Sequence, residues 1–235
     1  MYLVGIAGRA YYNKDGQKII QTHEATRKLL MSDDEIVCIT LLPVENKDYV
    51  DMEIGSDTLD TKKLDYILDK CDAFIIPGGT YGYRFDEYII DYAIKNDKPL
   101  LAICLGFQIM TSMFAKDRNK FDMTEKGDSS LHHNNPIEYS HKVSIQENTL
   151  LKRILHKDSI PVNSVHNDIV NFSFDTLVVN ALSEDGVIEG VEYPGKKFIL
   201  GLQWHPEYLM DEYNSEIINT FIAAIKESCD RNAEL

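Results

Sequence analysis

At 235 residues, 44% hydrophobic and 26% charged, the chain is long enough to bury roughly 70% of its unfolded surface around one core. Its 24 basic residues are outnumbered by 38 acidic ones, giving a formal charge of −14. A surface of that sign repels nucleic-acid phosphates and anionic lipid, which sets both aside as partners.

A single domain over residues 1–235 is expected, since no repeat, low-complexity stretch or linker breaks the sequence. The longest uncharged run, Pro99 to Ala115, is shorter than the ~20 residues a bilayer requires, and Gly106, Gln108, Thr111 and Ser112 interrupt it. The cysteines at 38, 71, 104 and 229 form no CxxC pair. The opening "MYLVGIAGR" has no basic leader region, so a reduced, cytoplasmic protein is expected.

In chain order, "YLVGIAG" reads as a short apolar strand, and "THEATRKLL" has helical spacing with Thr22 as its cap. "EIVCITLLP" is β-branched and strand-like, "TKKLDYILDKC" is helical, and "AFIIPGG" is a strand ending in glycines. "FDEYIIDYAIKND" is an amphipathic helix and "KPLLAI" another strand. Apolar strands alternating with helices indicate a parallel sheet covered on both faces. From about residue 140, "HKVSI", "SIPVNSV", "TLVVNAL", "GVIEGVEY" and "KFILGLQW" crowd together as β segments, and "SEIINTFIAAIKE" closes the chain as a helix. The expected fold class is α/β, a three-layer sandwich with a mainly parallel central sheet and antiparallel additions.

Ligands of such sheets bind beyond the carboxyl ends of the strands. One end carries Gly78 and Gly79, where bare backbone approaches a ligand closely. The next carries Cys104, in "LLAICLGFQ". A cysteine in a sharp strand-to-helix turn is exposed above the sheet, and the helix N-terminus favours its thiolate. The N–H of Leu105, with that of Gly79 opposite, is then placed to receive an oxyanion, and Gly106 relieves crowding. Taken alone, Cys104 reads first as a buried structural cysteine, the reading kept for Cys38 and Cys71; Cys229 reads as a tail residue.

A thiol nucleophile needs a base, and the base an orienting group. "ILGLQWHPEYL" supplies His205 directly after a strand and Glu207 two residues on, across the stiff Pro206. Two weaker signals are read structurally. "GVEYPGKK" lacks the Ser or Thr of a phosphate loop and reads as a Pro-Gly hairpin turn. His132, His133 and His141 lack the spacing of zinc ligands, so no metal is expected there.

"AICLGFQ" together with "GLQWHPE" resembles the class I glutamine amidotransferase fold over nearly the whole chain. "QWHPE", "VNSVH" at 162–166 and "HNNP…HKV" at 133–143 resemble its γ-glutamyl-γ-aminobutyrate hydrolase branch in particular. The resemblance implies cleavage of a small γ-glutamyl amide by a Cys-His-Glu triad without cofactor: Cys104 as nucleophile, His205 as base, Glu207 as orienter, and Gly79 and Leu105 as the oxyanion hole. It also implies that Gln108 holds the γ-glutamyl group and that His166 and Asn167 approach its α-groups. The chain departs from the branch at Ala102, Leu105, Thr80-Tyr81 and Asp168, which bears on the leaving-group side of the substrate. A second reading is a glutaminase subunit passing ammonia to a separate synthetase polypeptide, and a third is a non-catalytic binding protein. A homodimer is compatible with each.

Overall fold

The computed structural model describes residues 1–43, 59–80, 84–116, 124–126 and 128–230. Its first half runs β1 (Tyr2–Ala7), β2 (Arg9–Tyr12), β3 (Lys18–Gln21), α1 (Glu24–Lys28), β4 (Ile36–Leu41), α2 (Thr61–Leu68), β5 (Ala73–Ile76), α3 (Arg84–Lys95), β6 (Leu100–Ile103) and α4 (Leu105–Met113). The second half runs β7 (Thr124–Lys126), α5 (Ser129–His132), β8 (His141–Ile145), α6 (Leu150–Leu155), β9 (Ser159–Val162), β10 (Asp168–Val170), β11 (Val178–Ser183), β12 (Ile188–Glu192), β13 (Ile199–Leu202) and α7 (Glu212–Asp230).

One mixed sheet in the order β4-β1-β5-β6-β13-β12-β11-β8-β9 forms the middle layer, with β10 and β7 branching from β12. From β4 to β13 every pairing is parallel, and from β13 to β9 every pairing is antiparallel. The period-2 geometry of a strand splits its apolar residues between two cores. Ala73 and Ile75 of β5 face the side covered by α6 and α7, whereas Phe74 and Ile76 face α2, α3 and α4. Strands buried on both faces must be apolar throughout, which is why "AFII", "LLAI" and "ILGL" are continuous runs. Each such Leu, Ile or Phe contributes about 1.5–3 kcal/mol on burial.

The helices form where apolar residues recur at helical spacing. In α2, Leu64 and Leu68 are buried one turn apart, and the Asp60 carboxylate caps the start by accepting from the Lys63 N–H. In α3, Phe85, Ile89, Ile90, Ala93 and Ile94 form the buried face.

The sheet register is what assembles a site. β6 and β13 run parallel with Ile103 beside Leu202, so the residues that follow each strand leave the same sheet end as neighbours. On the other flank of β6, Ile76 of β5 pairs with Ala102, which brings the Gly78-Gly79 tip alongside.

Several elements differ from expectation. α1 is preceded by His23, whose side chain makes no cap, while the Thr22 hydroxyl lies 2.7 Å from that of Thr40. The segment after Gly8 is a β-hairpin turning at Asn13, whose side-chain oxygen accepts from the N–H groups of Asp15 and Gln17, with Gly16 at φ 75°. α6 is held by two caps at once: Thr149 accepts from the Lys152 N–H, and the buried Glu192 carboxylate accepts from the Leu150 N–H at 2.7 Å. The "YPGK" segment joins β12 to β13 as an antiparallel pair, with Gly195 at φ 75°. Of the departures noted in sequence, Tyr81 lies outside the described residues; Cys229 ends up in the last turn of α7.

Candidate active site

Cys104 sits between β6 and α4 with φ 48° and ψ −103°, a backbone conformation that L-residues rarely adopt. Two hydrogen bonds hold it there. Its N–H donates to the Leu202 carbonyl at 2.8 Å, continuing the ladder with β13, and its carbonyl accepts from the Gln108 N–H at 2.9 Å as the first bond of α4. Strain fixed by surrounding structure at a strand tip is a mark of functional positions. The turn tolerates only glycine two residues on: a Cβ at Gly106 would stand 2.2 Å from the Ile76 carbonyl oxygen.

His205 follows β13 by three residues and is buried, as are Pro206 and Glu207. Its Nδ1 lies 2.8 Å from Glu207 Oε1, so the carboxylate accepts the Nδ1 proton and Nε2 is left for the sulfur of Cys104. Burial by itself would lower the imidazole pKa. Cys104 and the carboxylate of Glu207, both hydrogen-bonded to the ring, outweigh it and hold the value well above the usual histidine range. Gly78 makes this closeness sterically feasible, because a Cβ there would meet His205 Cε1 at 2.8 Å and Cys104 Cβ at 3.5 Å.

The remaining cysteines with described side chains contrast with this one. Cys71 is fully buried and its thiol is pushed up to about 11 by burial, and Cys38 is raised for the same reason.

Three residues that sequence reasoning passed over support the constellation. Asn163 clamps the His205 main chain from both sides: its Oδ1 accepts the His205 N–H at 3.0 Å and its Nδ2 donates to the His205 carbonyl at 2.8 Å. Trp204 is fully buried and donates its indole N–H to Asn214 Oδ1 at 3.0 Å, anchoring the same segment to α7. Arg9 grips the glycine tip, donating from Nη2 to the Pro77 carbonyl at 2.7 Å and from Nε to the Pro77 and Gly78 carbonyls at 3.3 Å. Its Nη1 pairs with the buried Asp86 carboxylate at 2.7 Å. With the Pro77 and Gly78 carbonyls turned to Arg9, the tip is fixed next to Cys104. Gly79 is exposed at the rim and packed so closely that a Cβ would lie 2.9 Å from Arg9 Cδ. Leu105 opens α4, so its N–H belongs to the first-turn donors that no helical carbonyl reaches.

The expected substrate contacts separate. Gln108, half-buried on α4, donates its amide Nε2 to the Asp168 carbonyl and to Gln203 Oε1, each at 3.1 Å, leaving its own carbonyl oxygen for a ligand. Asn167 is exposed. His166 is a correction: its ring is buried, with Nδ1 3.0 Å from the Asp168 carbonyl and Nε2 3.4 Å from Glu189 Oε1, so it faces the interior rather than a substrate at the rim.

His166 belongs to a second buried group. Around Glu189 Oε1 stand His132 Nδ1 at 3.3 Å, His166 Nε2 at 3.4 Å and His141 Nε2 at 3.6 Å. His133 is not among them; its main chain forms an isolated bridge with Val165. Burial would raise the Glu189 carboxyl, but the three imidazoles hold it far below the usual range. Burial would likewise lower His132, yet Glu189 and Asp185 lift it to about 9.

A strand-tip cysteine with a histidine and glutamate from the neighbouring strand, on a sheet of this order, defines the class I glutamine amidotransferase-like fold. Residues 83–207 match the peptidase C26 family, and the chain belongs to that family. It is 31% identical over 176 residues to the gamma-glutamyl-gamma-aminobutyrate hydrolase PuuD of Escherichia coli strain K12, covering 64% of this chain and 69% of that protein. It is 33% identical over 128 residues to protein NtpR of Enterococcus hirae, covering 52% and 53% of the two. The chain spans between 49% and 65% of the length of the first curated relatives it matches. The glutaminase domain of Trypanosoma brucei CTPS, solved with bound acivicin, superposes with a TM-score of 0.66 at 19% identity, covering 97% of this chain and 94% of that one, a likeness of fold.

Proposed function

We propose that the chain is a single-domain cysteine hydrolase of γ-glutamyl amides, such as γ-glutamyl-γ-aminobutyrate or related γ-glutamyl amines. The observation that carries this reading is the strained Cys104 facing an imidazole whose other nitrogen is 2.8 Å from Glu207. The ring takes the thiol proton, and the thiolate attacks the γ-carbonyl carbon. Negative charge gathers on the carbonyl oxygen, which the N–H groups of Leu105 and Gly79 receive. Collapse of the tetrahedral adduct breaks the C–N bond as His205 Nε2 returns its proton to the departing amine. The thioester that remains is attacked by water, deprotonated at the same nitrogen, and glutamate leaves with the thiol restored. Gln108 Oε1 and Asn167 are the residues assigned to the γ-glutamyl group.

A purified-protein assay of glutamate release from a panel of γ-glutamyl amides, with glutamine included, tests this. One or more γ-glutamyl amines should be turned over by the isolated chain, and Cys104→Ala should lose at least about 10⁴-fold in kcat/KM with its fold intact. Full activity in that variant overturns the proposal. The likeness to a CTPS glutaminase domain supports a second reading, a glutaminase serving a synthetase on another polypeptide. Glutamine hydrolysis that starts only when a partner is added would select it.

A further inference from the structure

The histidine cluster has an electrostatic problem that the protein atoms leave unsolved. Each imidazole turns one nitrogen outward to an acceptor: His132 Nε2 lies 3.0 Å from the Asp185 carboxylate, His141 Nδ1 3.3 Å from the Leu131 carbonyl, and His166 Nδ1 3.0 Å from the Asp168 carbonyl. A neutral imidazole has one N–H, and in all three rings an acceptor claims it. A proton on His132, which Asp185 and Glu189 flank, lets its Nδ1 donate to Glu189; the inward nitrogens of His141 and His166 are still left presenting lone pairs to a carboxylate that is also all lone pairs. His132 Nδ1, His141 Nε2, His166 Nε2 and both oxygens of Glu189 are buried without a hydrogen-bond partner. Protonating every ring instead would gather three positive charges, His132 with its ring centroid 4.9 Å from each of the others, around Glu189, with Asp185 reaching His132 alone. A cation at the convergence point resolves both difficulties.

We infer that His132, His141, His166 and Glu189 form a binding site for one divalent transition-metal ion, with Zn²⁺ the best match. Three imidazoles and a carboxylate suit Zn²⁺, whose bonds of about 2.0–2.2 Å to such ligands put neighbouring donors roughly 3.3–3.5 Å apart in a tetrahedron. The spacings of 3.3, 3.4 and 3.6 Å between Glu189 Oε1 and the three nitrogens match that edge. The ligand atoms of His132, His141 and Glu189 all fall within 4.8 Å of one another; His166 Nε2 lies outside that group but 3.4 Å from Glu189, and a small shift of its ring brings it to the fourth position. The outward hydrogen bonds to Asp185 and to the two carbonyls are the orienting partners that metal-bound histidines carry.

The side chains of His132 and Glu189 are fully buried and those of His141 and His166 nearly so, which leaves no open position for a reacting water. The ion is accordingly structural. It ties α5, β8, the segment before β10 and β12 together, and that segment begins at Asn163, the residue that clamps His205.

The test is made in a Cys104→Ala background, so that the strand-tip thiol binds no metal. Protein purified without chelator or a nickel column should contain about one zinc per chain by elemental analysis. Chelator-stripped protein should take up one Co²⁺ with visible bands of tetrahedral coordination, and its thermal midpoint should rise when Zn²⁺ is restored. Glu189→Gln should lose uptake. Asp185→Asn, altered at a part-exposed outer partner and expected to fold, should weaken Zn²⁺ binding about 10–100-fold. If Glu189→Gln does not fold, the titration of the stripped parent and Asp185→Asn decide the matter. A folded, stripped parent that takes up no Co²⁺ and shows no thermal shift with Zn²⁺ overturns the inference. The measurement is independent of turnover, so it stands or falls separately from the proposed activity.

Discussion

Two buried histidine–glutamate groups occupy the same end of one sheet. In the parallel half, a single ring lies between Glu207 and the sulfur of Cys104. In the antiparallel half, three rings converge on Glu189. The residue types are shared, but the outer environments differ. Around His205, each nitrogen has one partner of complementary character, a carboxylate on one side and a thiol on the other, so a proton can shuttle. Around Glu189, each ring turns one nitrogen outward to an acceptor and the other toward the same carboxylate. The first arrangement suits acid–base chemistry and the second suits holding a cation, and it is the second partner of each imidazole that separates them.

The largest expected effect strikes the parallel half. Glu207→Gln should lower kcat/KM about 10²–10⁴-fold while leaving thermal stability nearly unchanged, because the amide no longer fixes the tautomer or steadies the imidazolium. The pH profile carries the sharper signature. His205 is held above its ordinary value partly by this carboxylate, so the ring keeps its proton to higher pH than a free imidazole does. Removing the carboxylate should move the alkaline limb of kcat/KM to lower pH. An unshifted limb would show that Glu207 does not govern the ring.

A smaller effect is expected where one buried charge meets one counter-charge. Arg9 and Asp86 pair at 2.7 Å with side chains 7% and 0% exposed. Arg9→Ala should destabilise the fold by about 3–5 kcal/mol in urea unfolding, because it strands Asp86 without its guanidinium. It should also reduce turnover, since the Pro77 and Gly78 carbonyls lose the group that aims the glycine tip. Stability within about 1 kcal/mol of the parent would show that water replaces the guanidinium at this place.

The smallest effect tests the connection between the two halves. Asn163→Ala removes both bonds to the His205 main chain, and a loss of about 1–3 kcal/mol in stability and about tenfold in kcat, with KM little changed, is expected. Equal kcat in the two proteins would mean that Trp204 alone positions the histidine.

The legible parts of the fold were those in which one residue pattern dictates one environment. Runs such as "AFII" and "LLAI" have no polar face to turn to water, and Leu64 and Leu68 or Phe85 and Ile89 lie one helical turn apart. The elbow and the His-Pro-Glu segment were legible because each lies within a few residues of a strand end. What stayed hidden depends on pairings across long separations. Arg9 and Asp86 are 77 residues apart, and Asn163 and His205 are 42 apart. The cluster draws its side chains from positions 132, 141, 166 and 189, where no spacing within one turn announces shared purpose. Adjacency in sequence pairs His133 with His132, although its main chain bridges to Val165. The Asn13 hairpin escaped notice because its strands are short and turn chemistry, not an apolar pattern, shapes them.

The φ of 48° at Cys104 has an evolutionary corollary. That backbone conformation is one glycine adopts freely, whereas any side chain there costs of order 1–3 kcal/mol. The sulfur is thus retained against a standing incentive to discard it. A lineage that lost the need for the reaction would drift toward glycine at this spot and gain thermal endurance as it went.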